Sequence, residues 1–324
     1  MEKYKKQIIS IDEKDWLMQK YADRLLFERK VDINGCCIRL WTDNEDLKHA
    51  WGENWYLISE DIRSHGRVIA ISTGRGKAPL LRFDPLSKTA FFFDCDYYGW
   101  IKSAALAITG DILEDNHGYY SIHGALIDYD GKGISIIGPS GTGKTTLSYG
   151  LLRYKSTRLV ADDWHFFRVI DGVAEAYASE KNSYIRADLA ASWPEYKNVY
   201  RIAQYDQKKR SVIDVRRVLG KGNVKRLTEV RYVFLLRREK GREVLQKLTP
   251  KEAVAYMEKN GYCNPHLLQH NAWKRKIRRR SLSELFKNVD VYLLNTIETP
   301  EETLGRICEL VGVKKSKRTI TIKQ

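Results

Sequence analysis

No stretch of this 324-residue chain stays apolar for the roughly 18–20 residues a bilayer-spanning helix needs. The opening Met1-Glu2-Lys3-Tyr4-Lys5-Lys6 lacks the apolar core and small-residue cleavage site of a secretory signal. Cysteine is sparse and shows no pairing pattern. Cys36, Cys37, Cys95, Cys263 and Cys308 make an odd set of five with no Cys-x-x-Cys spacing, so neither a disulfide framework nor a zinc site is indicated. The expected home is the reducing cytoplasm, with no membrane partner. Internal repeats and low-complexity segments are also absent, as are helix-turn-helix and RNA-binding aromatic motifs.

What the chain has in excess is positive charge. Lys+Arg number 56 against 41 Asp+Glu, a net +15. A field of that sign favours anionic partners: a triphosphate, a phosphorylated substrate, an acidic peptide or RNA. Part of the excess is local. Residues 274–280 read Lys-Arg-Lys-Ile-Arg-Arg-Arg, and the tail contains Lys314-Lys315-Ser316-Lys317-Arg318. A solvated basic face is the simpler account of residues 274–280, and a docking surface for an acidic partner is the alternative. Self-association into a homo-oligomer is left open.

Two regions differ in pattern. Residues 1–110 are aromatic-rich, with short apolar runs such as Val68-Ile69-Ala70-Ile71 and Ala90-Phe91-Phe92-Phe93, and are expected to form an α+β accessory or substrate region. A helix is expected over 100–113, where Ile101, Ala104, Ala105, Ile108 and Ile112 keep to one face. Residues 111–313 read as an α/β nucleotide-binding domain with a mixed sheet, and 314–324 as a basic tail. In this second region Ile134-Ser135-Ile136-Ile137 reads as a buried strand, as do Arg158-Leu159-Val160-Ala161, Tyr232-Val233-Phe234-Leu235-Leu236 and Val291-Tyr292-Leu293-Leu294. Phe166–Ile170 and Val173–Tyr177 flank an Asp171-Gly172 hairpin turn. Thr249-Pro250-Lys251-Glu252 and Thr299-Pro300-Glu301-Glu302 have the form of capping boxes with proline at the first helical position.

The strand 134–137 runs straight into Gly138-Pro139-Ser140-Gly141-Thr142-Gly143-Lys144-Thr145-Thr146, and the apolar pair Leu147 and Leu151 marks a helix behind it. A glycine-rich loop between a buried strand and a helix is an anion site. Its glycines let several backbone N–H groups converge on one phosphate, and the helix adds its N-terminal N–H groups and dipole. Lys144 is expected to reach the outer phosphates and Thr145 to offer its hydroxyl to Mg²⁺. Such a loop serves ATPases, GTPases, switches and kinases alike, so the neighbours must decide.

Asp162 and Asp163 follow the apolar strand 158–161. One carboxylate near Mg²⁺ and one near the γ-phosphate would supply a metal ligand and a base for an attacking hydroxyl. A helix cap or a turn is the plain alternative for such a pair. His123 lies across a short hairpin from the loop, which would bring it back toward the phosphates. The cationic segment Lys208-Lys209-Arg210 makes Arg210 a candidate phosphate or acceptor contact.

The run from His123 through the loop to Arg158-Leu159-Val160-Ala161-Asp162-Asp163 resembles the superfamily of HPr kinase/phosphorylase and phosphoenolpyruvate carboxykinase. The loop is similar to the carboxykinase version and the aspartate strand to the kinase version. The resemblance implies a mixed-sheet P-loop kinase core. Lys144 and Thr145 would bind phosphate and metal, Asp162 and Asp163 would serve as metal ligand and base, with Asp163 the base, and His123 would hold the base or a metal. The carboxykinase Glu-Asn-Thr-Arg segment is absent, as is the Glu-x-Arg-Gly-Leu-Gly segment of HPr kinases; Glu175 and Glu180 are the candidates for the latter's carboxylate. Smaller relatives phosphorylate free serine or a serine in a peptide. The leading expectation is therefore an ATP-dependent kinase of a serine-type hydroxyl, using Mg²⁺ or Mn²⁺. A nucleotide-dependent regulatory module with weak ATPase activity, and a small carboxykinase-like enzyme, stand as alternatives.

Overall fold

The computed structural model describes residues 4–74, 76–199, 204–206, 208–314 and 316–319. The opening residues Met1–Lys3, and Lys315 and residues 320–324 of the expected basic tail, lie outside them. The chain forms two compact units, one of residues 1–119 with 265–270 and one of residues 120–264 with 271–324. The expected division at residue 110 would have cut a helix that continues to Asn116, and the short excursion 265–270 leaves no compositional mark.

The first unit contains β1 (Lys5–Ile8), α1 (Ile11–Lys20), β2 (Phe27–Ile33), β3 (Cys36–Thr42), α2 (Glu45–Asn54), β4 (Tyr56–Leu57), β5 (Gly66–Ile71), β6 (Leu80–Asp84), β7 (Thr89–Phe93) and α3 (Tyr98–Asn116). Its strands form one seven-stranded mixed sheet in the order β1-β6-β7-β5-β3-β2-β4. Alternation sets the faces: Ile69, Ile71, Phe91 and Phe93 pack with Ile9 and Leu17 of the α1 side. At Gly66 a Cβ would come within 2.6 Å of Ile108 Cγ2, so α3 packs closely against β5 there.

The second unit is a mixed α/β layer structure. Its strands are β8 (Tyr120–Ile122), β9 (Gly124–Tyr129), β10 (Lys132–Ile137), β11 (Thr157–Ala161), β12 (His165–Ile170), β13 (Val173–Ala178), β14 (Asn182–Ile185), β15 (Gln204–Tyr205), β16 (Ser211–Asp214), β17 (Leu227–Arg237), β18 (Leu245–Lys247) and β19 (Asp290–Asn295). The main sheet has the order β11-β9-β10-β17-β13-β12-β8, with β19 on β17 and β18 on β19. A small sheet, β14-β16-β15, stands apart from it.

Alternate residues of the central strands serve two cores. Ile134, Ile136, Phe234 and Leu236 pack with Leu147 and Leu151 of α4 (Lys144–Leu151) and with Leu304 and Ile307 of the helix Pro300–Val311. Val233, Leu235, Val291 and Leu293 pack with Ala253 and Met257 of the helix Pro250–Lys259, and with Leu282 and Leu285 of the helix Ala272–Lys287. The sheet is thus covered on both faces, which is why these strands read as continuous apolar runs. Both capping boxes form as the sequence predicts, with each threonine and glutamate bonding reciprocally. The hairpin turns Asp130-Gly131 and Asp171-Gly172 each supply the two positive φ angles a two-residue hairpin requires.

The basic segment 274–280 is not a uniform charged face. It lies in the helix Ala272–Lys287, where Lys274 and Arg278, one turn apart, are buried while Arg275, Lys276, Arg279 and Arg280 are exposed. Among the described residues no helix is long and apolar enough to cross a membrane.

Candidate functional site

Strand direction gathers the predicted residues. β9 is antiparallel to β10, with Gly124 opposite Ile137, and antiparallel to β11, with Leu126 opposite Ala161. β10 and β11 therefore run parallel on either side of β9 and end at the edge where β9 begins. His123 immediately precedes β9, Gly138 immediately follows β10, and Asp162-Asp163 immediately follow β11. All three reach one edge of the sheet.

The loop owes its shape to its glycines. Gly141 and Gly143 hold φ of +85° and +96°, left-handed values that other residues adopt only with strain. At Gly138 a Cβ would lie 2.7 Å from Thr142 Oγ1 and 2.8 Å from Leu236 Cβ, so the loop can pass β17 only without a side chain. Thr142 Oγ1 donates to the Pro139 carbonyl at 2.8 Å and closes the turn. Gly143 is the N-cap of α4 and brings no side-chain cap, so the first N–H groups of the helix face the loop. Lys144 follows, and its Nζ donates to the carbonyls of Gly138 at 2.7 Å and Pro139 at 3.2 Å, which folds it back over the loop. Burial lowers its pKa, and the Asp163 carboxylate nearby opposes that shift, with smaller opposition from Cys263 and Asp162.

The two aspartates are placed differently. Asp162 is buried, and its Oδ2 accepts from the backbone N–H of Tyr184 at 3.2 Å. Asp163 is more open, with its side chain 36% exposed, and its Oδ1 lies 3.1 Å from His123 Nε2. His123 Nδ1 lies 2.8 Å from the carbonyl of Cys263. Asp163 and His123 thus form one bonded polar pair beside the loop, and the Asp163 charge acts on Lys144. No cluster of three or more His, Cys, Asp or Glu side chains able to hold a metal by themselves occurs among the described residues. The donor set present, two carboxylates beside the glycine-rich loop, fits a hard cation that shares its ligands with phosphate oxygens and water.

Three further predicted residues separate. Glu175 does not join this edge. It pairs with Arg168 at 2.9 Å, and its register partner Glu229 stands opposite Lys132 at the start of β10, the far end of the sheet. Its carboxyl is held below the usual range chiefly by the Tyr177 hydroxyl. Glu180 lies two residues beyond Ala178, the last residue of β13, which pairs with His165. Arg210 is bridged to Asp206 at 2.8 Å, with its guanidinium 4.9 Å over the Tyr184 ring. Tyr184 thus touches Arg210 with its ring and Asp162 with its backbone N–H.

Several supports left no motif. His165, fully buried, lies between Ser135 Oγ at 3.2 Å and the Gly124 carbonyl at 3.1 Å, joining β12 to β10 and β9, two of the three strands that bear the site. Desolvation pulls its pKa down to about 4. The Gly124 carbonyl can only accept, so Nδ1 donates to it and Nε2 of the neutral ring accepts from Ser135. Trp193, buried, donates from Nε1 to the Thr146 carbonyl at 2.7 Å and so holds the first turn of α4. A lone tryptophan and a strand histidine are too common in sequences for either role to be read beforehand.

No family model matches this chain, and no curated protein matches it. Among solved structures it has a distant likeness to the Hpr(Ser) kinase/phosphatase from Coxiella burnetii. The identity is 15% and the TM-score 0.34, over 59% of this chain and 92% of that one. At that score the likeness carries no weight in assigning activity, which stands on the residues and their geometry.

Proposed function

We propose that this protein is a phosphotransferase that moves the γ-phosphate of a nucleoside triphosphate, ATP by preference, to an acceptor hydroxyl of the serine type. The observation that carries the reading is the convergence of Gly138–Thr145, Asp162-Asp163 and His123 on one sheet edge, with Asp163 Oδ1 3.1 Å from His123 Nε2. The loop N–H groups and the start of α4 would receive the phosphates. Lys144 would exchange its two carbonyl contacts for phosphate oxygens, a stronger charge-assisted pairing. Thr145 and Asp162 would hold Mg²⁺ or Mn²⁺, which when bound would neutralise phosphate charge. Asp163 would accept the proton of the acceptor hydroxyl while His123 fixes its orientation. Glu180 and Arg210 remain candidates for acceptor contacts at the margin of the site.

The experiment is a screen of free serine, serine peptides and small alcohols for ADP release from Mg·ATP that depends on the added acceptor. Asp163→Asn is expected to lower that turnover about 10²–10⁴-fold while nucleotide binding persists. Full turnover in Asp163→Asn would remove the base assignment. ADP release indifferent to every acceptor would favour the regulatory ATPase reading. For that reading the basic segment offers less than its composition suggests, because Lys274 and Arg278 are buried.

A further inference from the structure

A second concavity lies at the opposite end of the main sheet from the glycine-rich loop, within the second unit. β10, β17 and β19 run parallel, and the loop follows the last residue of β10. A pocket of about 450 Å³ opens where β10 and β19 begin, at Lys132 and Asp290. Arg231 and Tyr232 of β17 line it too, with Lys287 and Asn288 at the end of the helix Ala272–Lys287. The strand from Lys132 to Ile137 puts about 16 Å between this pocket and the loop.

A bulge shapes the pocket. The pairing of β10 with β17 passes from Gly133–Val230 to Ile134–Tyr232 and skips Arg231. Successive side chains of an unbroken strand point to opposite faces, yet Arg231 and Tyr232 both line the pocket. The extra residue thus brings a guanidinium to the same concavity as two lysines. The charges there do not cancel. Arg231 is bridged to Glu229 at 2.7 Å, and Asp290 to Lys247 at 2.7 Å. Lys132 and Lys287 have neither an ion-pair partner nor a hydrogen bond among the described residues, so two positive charges stand uncompensated. The Tyr232 hydroxyl likewise bonds none of the described residues. A lysine in the last turn of a helix complements the helix dipole, which is the plain account of Lys287 taken alone. It does not extend to Lys132 at the start of a strand, nor to the bulge that adds Arg231.

We propose that this pocket is an anion site separate from the glycine-rich loop, one that takes a small molecule by its phosphate dianion. Lys132, Lys287 and Arg231 would meet the phosphate oxygens with charge-assisted hydrogen bonds, and the Tyr232 hydroxyl would add a neutral donor. The volume lies within the range of small-molecule sites, which leaves room for the body of a phosphate ester beside its phosphate. The site shares no residue with the phosphotransfer reading and stands or falls without it.

The test titrates the ¹⁵N-labelled full chain with inorganic phosphate in one arm and glycerol phosphate in another. It follows the backbone amides of Lys132, Arg231 and Lys287 beside those of Gly141 and Gly143. Saturable shifts of the pocket amides are expected, in Lys144→Ala as in wild type, and the arm that binds tighter tells a free ion from an ester. Lys132→Gln combined with Lys287→Gln removes two charges from exposed positions. That variant is expected to weaken binding at the pocket about tenfold, the scale of two exposed charge pairs, while any shifts at the loop persist. Absence of a saturable shift at the pocket amides in both arms would overturn the inference, as would unchanged affinity in the folded double variant. Shifts confined to Gly141 and Gly143 would overturn it too, while supporting the loop as the place where phosphate binds.

Discussion

Asp162 and Asp163 are adjacent in sequence, yet their surroundings divide them. One is buried and fixed by a backbone N–H, and the other opens toward His123 and the loop. The same contrast holds among the loop glycines, and it predicts different failures on substitution. Gly138→Ala would force a Cβ to within 2.8 Å of Leu236 Cβ and 3.0 Å of its carbonyl oxygen. It is expected to destabilise the protein by about 1–3 kcal/mol through overpacking, read as a lower urea midpoint. At Gly143 nothing lies within reach of a Cβ, but φ is +96°. Gly143→Ala is therefore expected to strain the start of α4 and weaken nucleotide binding more than it lowers stability. Calorimetric titration with ATP beside urea unfolding separates the two effects.

Among the elements, α4 and the turn after it are held by distant parts of the chain. Trp193 grips its first turn, and Arg153 just beyond its end is bridged to Glu195 at 2.8 Å and to Glu301 at 3.2 Å. Arg318 donates to the carbonyls of Tyr154 at 3.3 Å, Lys155 at 3.2 Å and Thr157 at 2.7 Å. This part of the expected basic tail is turned inward. Arg318→Ala is expected to lower stability by about 1–2 kcal/mol, the scale of lost hydrogen bonds from a charged donor. A urea titration against wild type checks it. Local signals made much of this unit legible: both capping boxes, the apolar strands, the Asp171-Gly172 turn and the loop all depend on residues close in sequence. Glu175 lies away from the loop because the Asp171-Gly172 hairpin pairs it with Arg168, five residues beyond Asp163, a consequence legible in the hairpin itself. His165, Trp193 and the Cys263 carbonyl were missed because each acts on residues far away in the chain.

At the scale of the whole molecule, His165 ties stability to pH. Its pKa falls from about 6.5 unfolded to about 4 in the folded protein, because burial disfavours the imidazolium. Between those values the unfolded chain binds more protons. This contribution is complete above about pH 6.5 and is lost as pH falls toward 4, by up to roughly 3 kcal/mol. Urea midpoints at pH 7.5, 6 and 5 should fall in that order, and His165→Gln should flatten the dependence.

The excursion of residues 265–270 has a consequence for how the protein can be divided. The chain passes from one unit to the other after Tyr119, after Asn264 and again after His270. Within the first unit, Tyr4 Oη meets His266 Nδ1 at 2.9 Å, and Gln269 Nε2 donates to Asp111 at 2.8 Å. A gene cut between codons 119 and 120 would therefore not yield two whole modules. It would strip one half of a peptide that completes it and leave the other half carrying that peptide as a loose loop, so the first 119 residues expressed alone should be less stable than the same unit in the intact chain.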